Sequence, residues 1–176
     1  FLSADRIANG VAWRRANEDA LARAEEKWGV PPEIVVAIVG VETNFGRVTG
    51  SYRVIDALAT LSFDYPRRAS FFRGELKEYL LLAREQGFTP LAPKGSFAGA
   101  MGVPQFMPGS FRRYAVDFDG DARIDLWTSG PDVVGVGALR QDGEGRRPDR
   151  GDRVLDRLAG TATRRFGVVH GQALEG

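Results

Sequence analysis

The chain has 176 residues, 43% of them hydrophobic and 27% charged, which is the size and composition of one globular domain with its own core. The net charge of +1 gives no general attraction to nucleic acid, and no apolar stretch approaches the roughly 20 residues that cross a bilayer. Cysteine is absent, which excludes a disulfide framework, a thiolate zinc site and a cysteine nucleophile.

The first elements that the pattern predicts are helices. Residues 3–28 carry apolar side chains at helical spacing, and Gly29 is a suitable stop. A new helix is predicted to start at Pro31-Pro32-Glu33, with proline and an acid in its first turn. Residues 34–41 are apolar on all sides, so they are predicted to be buried. Their β-branched side chains would also suit a strand, but the proline start favours a helix.

Further helices are predicted in the middle of the chain. Residues 53–61 read as an amphipathic helix, and a longer one opens at Pro66 and closes at Gly87. Residues 88–109 are rich in glycine and proline, which predicts a loop with at most short helical turns. Another helix is predicted to begin near Pro131. Strand signals are scarce, so the predicted fold is mainly α.

The last forty residues differ in character from the rest. Residues 137–176 contain eight arginines, eight glycines and a single aromatic residue. We therefore expect a main domain at 1–136 and a weakly packed or disordered Arg/Gly-rich tail at 137–176. Because the chain opens on Phe1 rather than methionine, we also expect an excised or processed domain.

Glu42 is the first candidate for chemistry, because it ends the apolar run and lies just before Gly46. Apolar surroundings disfavour the ionised form and raise the pKa of a carboxyl group, and the negative end of a helix adds to that effect. A carboxylic acid that stays protonated near neutral pH is suited to general-acid cleavage of a glycosidic bond. The alternative is a glutamate at a frayed helix end that faces water.

Residues 95–110, Gly-Ser-Phe-Ala-Gly-Ala-Met-Gly-Val-Pro-Gln-Phe-Met-Pro-Gly-Ser, form the second candidate element. Their small side chains let a backbone approach a ligand closely. Ser96 and Gln105 offer a hydroxyl and an amide that suit the hydroxyl and acetamido groups of sugars. The alternative is a plain glycine- and proline-rich connector.

The third element is an acidic loop over residues 117–125, Asp-Phe-Asp-Gly-Asp-Ala-Arg-Ile-Asp. Carboxylates at every second residue of a curled loop can converge on one hard cation, as in an EF-hand. The pattern departs from the usual loop at Ala122, where glycine makes the sharp turn, and at Thr128, where a glutamate would close the site. The alternative is a generic acidic loop.

Together, residues 39–46, 61–68 and 95–110 closely resemble the membrane-bound lytic transglycosylase B family, lysozyme-like peptidoglycan-cleaving enzymes of Gram-negative bacteria. The resemblance runs from Phe1 to about Val136, and the three segments come in the family's order. It implies a mainly α, lysozyme-like transglycosylase domain. Upstream and downstream parts of the family's domain are expected to be missing here.

The resemblance also implies roles for individual residues. Glu42 matches the family's sole catalytic acid, while Ser96 and Gln105 match substrate-binding positions. Arg67 and Arg68 match a Tyr-Pro-Arg-Arg pair that could face the acidic peptide stems. A solvated helix start explains those two arginines equally well.

An atypical EF-hand-like calcium site is implied at the acidic loop. Its expected ligands are three loop side chains, one backbone carbonyl and one closing carboxylate: Asp117, Asp119 and Asp121, then Arg123, then Asp132. Compared with the family's pattern, the stretch between Trp127 and Asp132 is longer by one residue. Asp125 is expected to hold a water or only to face solvent. Calcium would be structural, and no organic cofactor is expected.

The activity implied is non-hydrolytic cleavage of the β-1,4 bond between N-acetylmuramic acid and N-acetylglucosamine, which leaves a 1,6-anhydromuramic acid end. Expected partners are peptidoglycan glycan strands and no nucleic acid. The protein is expected to be a periplasmic monomer, with outer-membrane anchoring through an upstream lipid as an option.

Two alternatives stay open. The family's domain continues with an Ile-Thr-Arg-Tyr-Asn-like segment that we do not find, so a truncated, inactive peptidoglycan-binding module is the first. The second is a plain calcium-binding structural domain.

Overall fold

The computed structural model describes residues 3–139, which form seven α-helices, one 3-10 turn and a two-stranded sheet. The helices are α1 (Ala4–Ala16), α2 (Glu18–Trp28), α3 (Pro32–Thr43), α4 (Val54–Phe63), α5 (Ala69–Gln86), α6 (Pro108–Tyr114) and α7 (Gly130–Leu139). The 3-10 turn spans Pro66–Arg68, and β1 (Tyr52–Arg53) pairs antiparallel with β2 (Lys94–Gly95). The prediction of a mainly α fold is confirmed over this range. From residue 140 onward, the predicted tail lies outside the residues that the structure describes.

The helical stretch predicted at residues 3–28 is two helices rather than one. They meet at Asn17, whose side-chain Nδ2 donates to the carbonyl oxygen of Trp13 at 2.8 Å. Asparagine disfavours helix interiors because its side chain competes for backbone hydrogen bonds. A Cβ atom on Gly130 would lie 1.8 Å from the Asn17 Oδ1, so the start of α7 packs directly against this break.

The apolar run that could have been a strand is the helix α3, as the proline start predicts. Val35 and Val39 are fully buried on its inner face. The preceding stop is also as predicted, because Gly29 ends α2 in the left-handed region at φ 67°.

The core consists of two large apolar clusters and a small one between them. The first cluster joins α4, α5 and α6 around the buried side chains of Leu58, Tyr79 and Phe111. The second joins α2, α3 and α7. The small cluster contains Val39 of α3, Val103 of the 96–107 loop and Val133 of α7. It fixes the loop against the end of α3.

The helix α6 was not expected, since the sequence predicted only short helical turns up to residue 109. It begins with Pro108, a residue suited to the first helical position. The Glu75 carboxylate of α5 accepts from the Gly109 N–H at 2.8 Å, which places a negative charge at the positive end of α6. Arg112 of α6 forms ion pairs with Glu78 and Glu85 of α5.

Candidate functional site

Glu42 lies in the last turn of α3 and is half-buried. The chain then leaves the helix through three consecutive left-handed residues, Asn44 at φ 50°, Phe45 at φ 61° and Gly46 at φ 81°. Left-handed backbone is unfavourable for residues with a Cβ atom, so this turn has to be held by its surroundings. Glu42 therefore stands at a strained helix end rather than on a frayed one.

The Phe45 side chain holds one side of the turn. Its ring lies between α1 and α3, where a Cβ atom on Gly10 or on Gly40 would come within 2.9 or 2.7 Å of the Phe45 Cζ. The indole of Trp13 lies beside it, with ring centroids 6.2 Å apart. The ring thus occupies a slot between Gly10 and Gly40, and any side chain at either position would close that slot.

Thr43 holds the other side. It is almost completely buried, and its Oγ1 donates to the Val103 carbonyl oxygen at 2.9 Å while accepting from the Gly46 N–H at 3.0 Å. The residue after Glu42 is therefore attached to the glycine-rich loop.

Ser96 shapes that loop from within. Its Oγ accepts from the N–H groups of Ala98 and Ala100 at 3.2 and 3.0 Å, so the hydroxyl hydrogen remains for a contact outside this turn. A Cβ atom on Gly95 would lie 2.1 Å from the Ala100 carbonyl oxygen, which explains the glycine before Ser96. The small residues of the loop serve its own folding as well as access by a ligand.

Gln105 adopts a left-handed conformation at φ 51° and ties the loop to the segment that follows the Glu42 turn. Its Nε2 donates to the carbonyl oxygens of Thr49 and Gly102 at 3.1 and 2.9 Å. Within residues 3–139 no hydrogen bond engages its Oε1, which leaves that oxygen as the acceptor for a ligand.

The structure thus brings the elements of three predicted site residues together. Gly50 sits so close to the loop that a Cβ atom there would be 2.0 Å from the Gly95 carbonyl oxygen. The strand β1 continues that segment and pairs with β2 just before Ser96. Residues 43–53, which follow Glu42, therefore lie along the loop that carries Ser96 and Gln105.

Arg67 and Arg68 are not joined to this assembly. Both are exposed in the 3-10 turn, and the Arg68 guanidinium stacks over the Phe71 ring at 4.5 Å. Among the described residues, no hydrogen bond or ion pair links either arginine to Glu42 or to the loop. Their predicted role in substrate binding stays a prediction.

The acidic loop brings three predicted metal ligands together. Oxygens of Asp117, Asp119 and Asp132 all lie within 4.8 Å of one another. Asp121 lies outside this group and accepts from the Arg123 N–H at 2.8 Å. The Asp117 carboxylate organises the loop by accepting from backbone N–H groups that include those of Gly120 at 2.7 Å and Ala122 at 2.8 Å.

Asp132 closes the loop from the first turn of α7. It is 1% exposed, and its two oxygens accept from the N–H groups of Phe118 and Asp125, each at 2.8 Å. Burial raises the pKa of Asp132 despite those hydrogen bonds, and the charges of Asp119 and Asp117 raise it further. A bound cation would offset this accumulation of negative charge.

The Asp125 carboxylate makes hydrogen bonds to the turn that follows the acidic loop. Burial would raise its pKa, but hydrogen bonds from Thr128 and from the Trp127 N–H outweigh that effect, and the pKa is lowered. Its Oδ1 accepts from the Trp127 N–H at 2.8 Å and from the Thr128 N–H at 2.9 Å. Asp125 therefore caps the turn that leads to α7.

Sequence reasoning missed Thr43, Phe45 and Val103 as parts of the site. A hydroxyl residue next to Glu42, followed by an aromatic residue and a glycine, was the visible signal for the first two. Val103 gave no signal, because its role comes from a contact with a residue 60 positions away.

The chain is similar to several known proteins. A family model described as a transglycosylase SLT domain matches residues 1–143. The membrane-bound lytic murein transglycosylase B of Escherichia coli K12 is 59% identical over 127 residues, which cover 72% of this chain and 35% of that protein. Within residues 3–139, no helix has the length and apolarity needed to cross a membrane.

Two solved structures extend the comparison. The Escherichia coli lytic transglycosylase Slt35 in complex with calcium matches with a TM-score of 0.79 and 54% identity, over 84% of this chain and 47% of that one. SltB3 from Pseudomonas aeruginosa in complex with NAG-anhNAM-pentapeptide matches with a TM-score of 0.76 and 34% identity, over 85% and 40%. The chain spans less than half the length of these relatives.

Proposed function

The chain belongs to the transglycosylase SLT domain family, and from that membership we propose that it is a peptidoglycan lytic transglycosylase. The proposed reaction cleaves the β-1,4 bond between N-acetylmuramic acid and N-acetylglucosamine without water and leaves a 1,6-anhydromuramic acid end. The observation that carries the proposal is the attachment of the Glu42 helix end to the loop of Ser96 and Gln105 through Thr43. The murein-cleaving relatives and the NAG-anhNAM-pentapeptide complex of SltB3 support it.

In the proposed mechanism, Glu42 acts first as the acid. Its half-buried position at the negative end of α3 supports our expectation that the carboxyl group is protonated near neutral pH. It donates that proton to the bridging oxygen as the bond to muramic C1 breaks and positive charge develops on the sugar. The acetamido group of the substrate stabilises that charge.

Glu42 then acts as the base. The carboxylate takes the proton of the muramic C6 hydroxyl, and O6 forms the new bond to C1 that closes the anhydro ring. The proton given up in the first step is thus regained, and no water is consumed. A single carboxylate is sufficient for both steps.

We propose that the loop residues bind the glycan. The hydroxyl hydrogen of Ser96 and the Oε1 of Gln105 provide one donor and one acceptor on a loop whose backbone these two side chains already hold by hydrogen bonds. Such prepositioned groups bind a sugar without first having to rearrange. Arg67 and Arg68 are proposed to meet the carboxylates of the peptide stems.

We also propose that the acidic loop is an EF-hand-like calcium site. The converging oxygens of Asp117, Asp119 and Asp132 fit a hard cation. Among the described residues, the hydrogen-bond donors to the buried Asp132 carboxylate are backbone N–H groups, which carry no positive charge. Asp121 and the Arg123 carbonyl are proposed to complete the ligand set. A cation there would bind α7 to the loop and would take no part in the chemistry.

Calorimetric titration with calcium tests that site. We expect binding by the wild type and at least a tenfold weaker affinity for Asp119→Asn, which removes one charge from an exposed position, whereas Asp5→Asn in α1 leaves the affinity unchanged. Equal affinities for all three proteins would refute the site.

The setting of the reaction follows from its substrate. Peptidoglycan lies in the periplasm, so we assign the protein to that compartment and its partner to the glycan strands. We also propose attachment to the outer membrane through a lipid, and the membrane-bound relative supports an attachment to a membrane. We propose a monomer without affinity for nucleic acid, in agreement with the net charge of +1.

Digestion of purified sacculi tests the proposed function. Mass spectrometry of the released muropeptides should show anhydro ends, which are lighter by one water than the reducing ends that a hydrolase produces. Release of reducing ends would contradict a transglycosylase. Binding to sacculi with no release at all would favour the alternative of an inactive binding module.

A further inference from the structure

The hydroxyl group of Thr43 joins three parts of the site. It belongs to the last residue of α3, it accepts from the Gly46 N–H in the left-handed turn, and it donates to the Val103 carbonyl oxygen in the glycine-rich loop. Thr43 is only 1% exposed, and its bond to Val103 is buried, so water competes little with that bond. No other side chain adjacent to Glu42 could replace this arrangement, because Val41 on its other flank is apolar.

The point to which Thr43 is attached is itself fixed. The Val103 N–H donates to the Leu126 carbonyl oxygen at 2.7 Å, and the Val103 side chain packs against Val39 and Val133. A Cβ atom on Gly102 would lie 2.6 Å from the same carbonyl oxygen, so the loop backbone is in direct contact with residue 126. Val103 is therefore held in place on both its backbone and its side chain, and the end of α3 is attached to this fixed residue.

We propose that Thr43 is a positioning residue for the reaction. By tying the helix end to Val103 and to the left-handed turn, it sets the direction from which the Glu42 carboxyl group meets a glycan held by the loop. This inference rests on the proposed function of Glu42. Thr43 acts through Glu42 and is not itself a catalytic residue.

Steady-state kinetics on soluble glycan strands test the proposal. Thr43→Val keeps the size and the β-branch but removes the hydroxyl, and it should lower kcat about 10- to 100-fold while KM changes little, because a small misplacement of a reacting group is costly. Thr43→Ser restores the hydroxyl and should recover most of kcat. Ser62→Ala is the matched control, since it removes a buried hydroxyl that bonds only within α4.

Hydrogen exchange supplies a readout that does not depend on turnover. The Gly46 amide should exchange faster in Thr43→Val than in the wild type and in Ser62→Ala, because its acceptor is lost. An active wild type together with a Thr43→Val variant of unchanged kcat, or of reduced kcat that serine does not rescue, would overturn the positioning role alone. A wild type that releases no product would overturn the proposed function, and this role of Thr43 with it.

Discussion

In the Glu42 turn, two glycines determine where the side chain of Phe45 packs. Gly10 and Gly40 leave the slot in which the Phe45 ring packs, and Phe45 in turn stabilises the left-handed exit from α3. Propensity alone would disfavour Gly40 in the interior of a helix. Its presence is explained by the ring that needs the space.

Gly40→Ala should therefore destabilise the protein by about 1–3 kcal/mol, because the added methyl group overlaps the Phe45 ring. Gly74→Ala is the matched control, since that helical glycine in α5 is exposed and has nothing within 4 Å of a Cβ atom. It should stabilise the protein by about 0.5–1 kcal/mol. Urea denaturation measures both, and equal effects of the two substitutions would refute the slot.

The acidic loop offers a second test of backbone conformation. Ala122 lies in the loop that we propose to be EF-hand-like, at the position where such loops carry glycine, and is held at φ 69°. Ala122→Gly should therefore stabilise the cation-free protein by about 1 kcal/mol, and Gly120→Ala at φ 80° should destabilise it by a similar amount. Chemical denaturation in the presence of a chelator checks both. A destabilising Ala122→Gly would show that the strain is absent.

Among the elements, α5 and α6 are joined by one arginine. Arg112 binds Glu85 through two nitrogens at 2.8 and 2.7 Å and also pairs with Glu78. The hydrogen bond from Arg112 lowers the pKa of Glu85 below its ordinary value of 4.5. A carboxyl group with a lowered folded-state pKa stabilises the protein above its unfolded pKa, and that contribution is lost as pH falls through the folded pKa.

Wild type should accordingly be more stable than Glu85→Gln at pH 7, and the difference should shrink to zero as the solution is acidified past the folded pKa of Glu85. The difference should also fall with added salt, because the pair is exposed. Denaturation curves at several pH values measure it. A difference that stays constant down to acidic pH would assign the effect of the substitution to something other than the charge.

At the scale of the elements, the sequence predicted those helix ends and loops that are determined by local residue pattern. Gly29 ends α2 and proline starts α3 as expected, and the glycine-rich and acidic loops lie where their composition indicated. The break at Asn17 was hidden because the apolar spacing continues across it. The helix α6 was hidden too, since the Glu75 carboxylate that stabilises its start comes from 34 residues earlier.

For the whole molecule, the contacts that make the site are long-range ones. Glu42, Ser96, Gln105 and the clustered acidic residues could be named as candidates from motifs. Their relative positions could not, since they depend on the Thr43–Val103 and Val103–Leu126 hydrogen bonds and on a valine cluster drawn from three separate segments. Periodicity carries no information about such pairings.

The division of the chain into a domain at 1–136 and a tail at 137–176 stays a proposal. The family match extends through residue 143, seven residues past that boundary, and the structure describes the chain only to residue 139. The part described already contains Glu42, the glycine-rich loop and the acidic cluster. We therefore expect the chemistry to depend on these residues.

Turnover of purified sacculi by Glu42→Gln, compared with the wild type and followed by release of anhydro-muropeptides, tests the central claim most directly. The substitution keeps the shape of the side chain and removes its acidic proton, so we predict a loss of about 10²–10⁴-fold or more in rate with an unchanged thermal unfolding midpoint. Release by the variant at the rate of the wild type would contradict the assignment of Glu42 as the acid and base of the reaction.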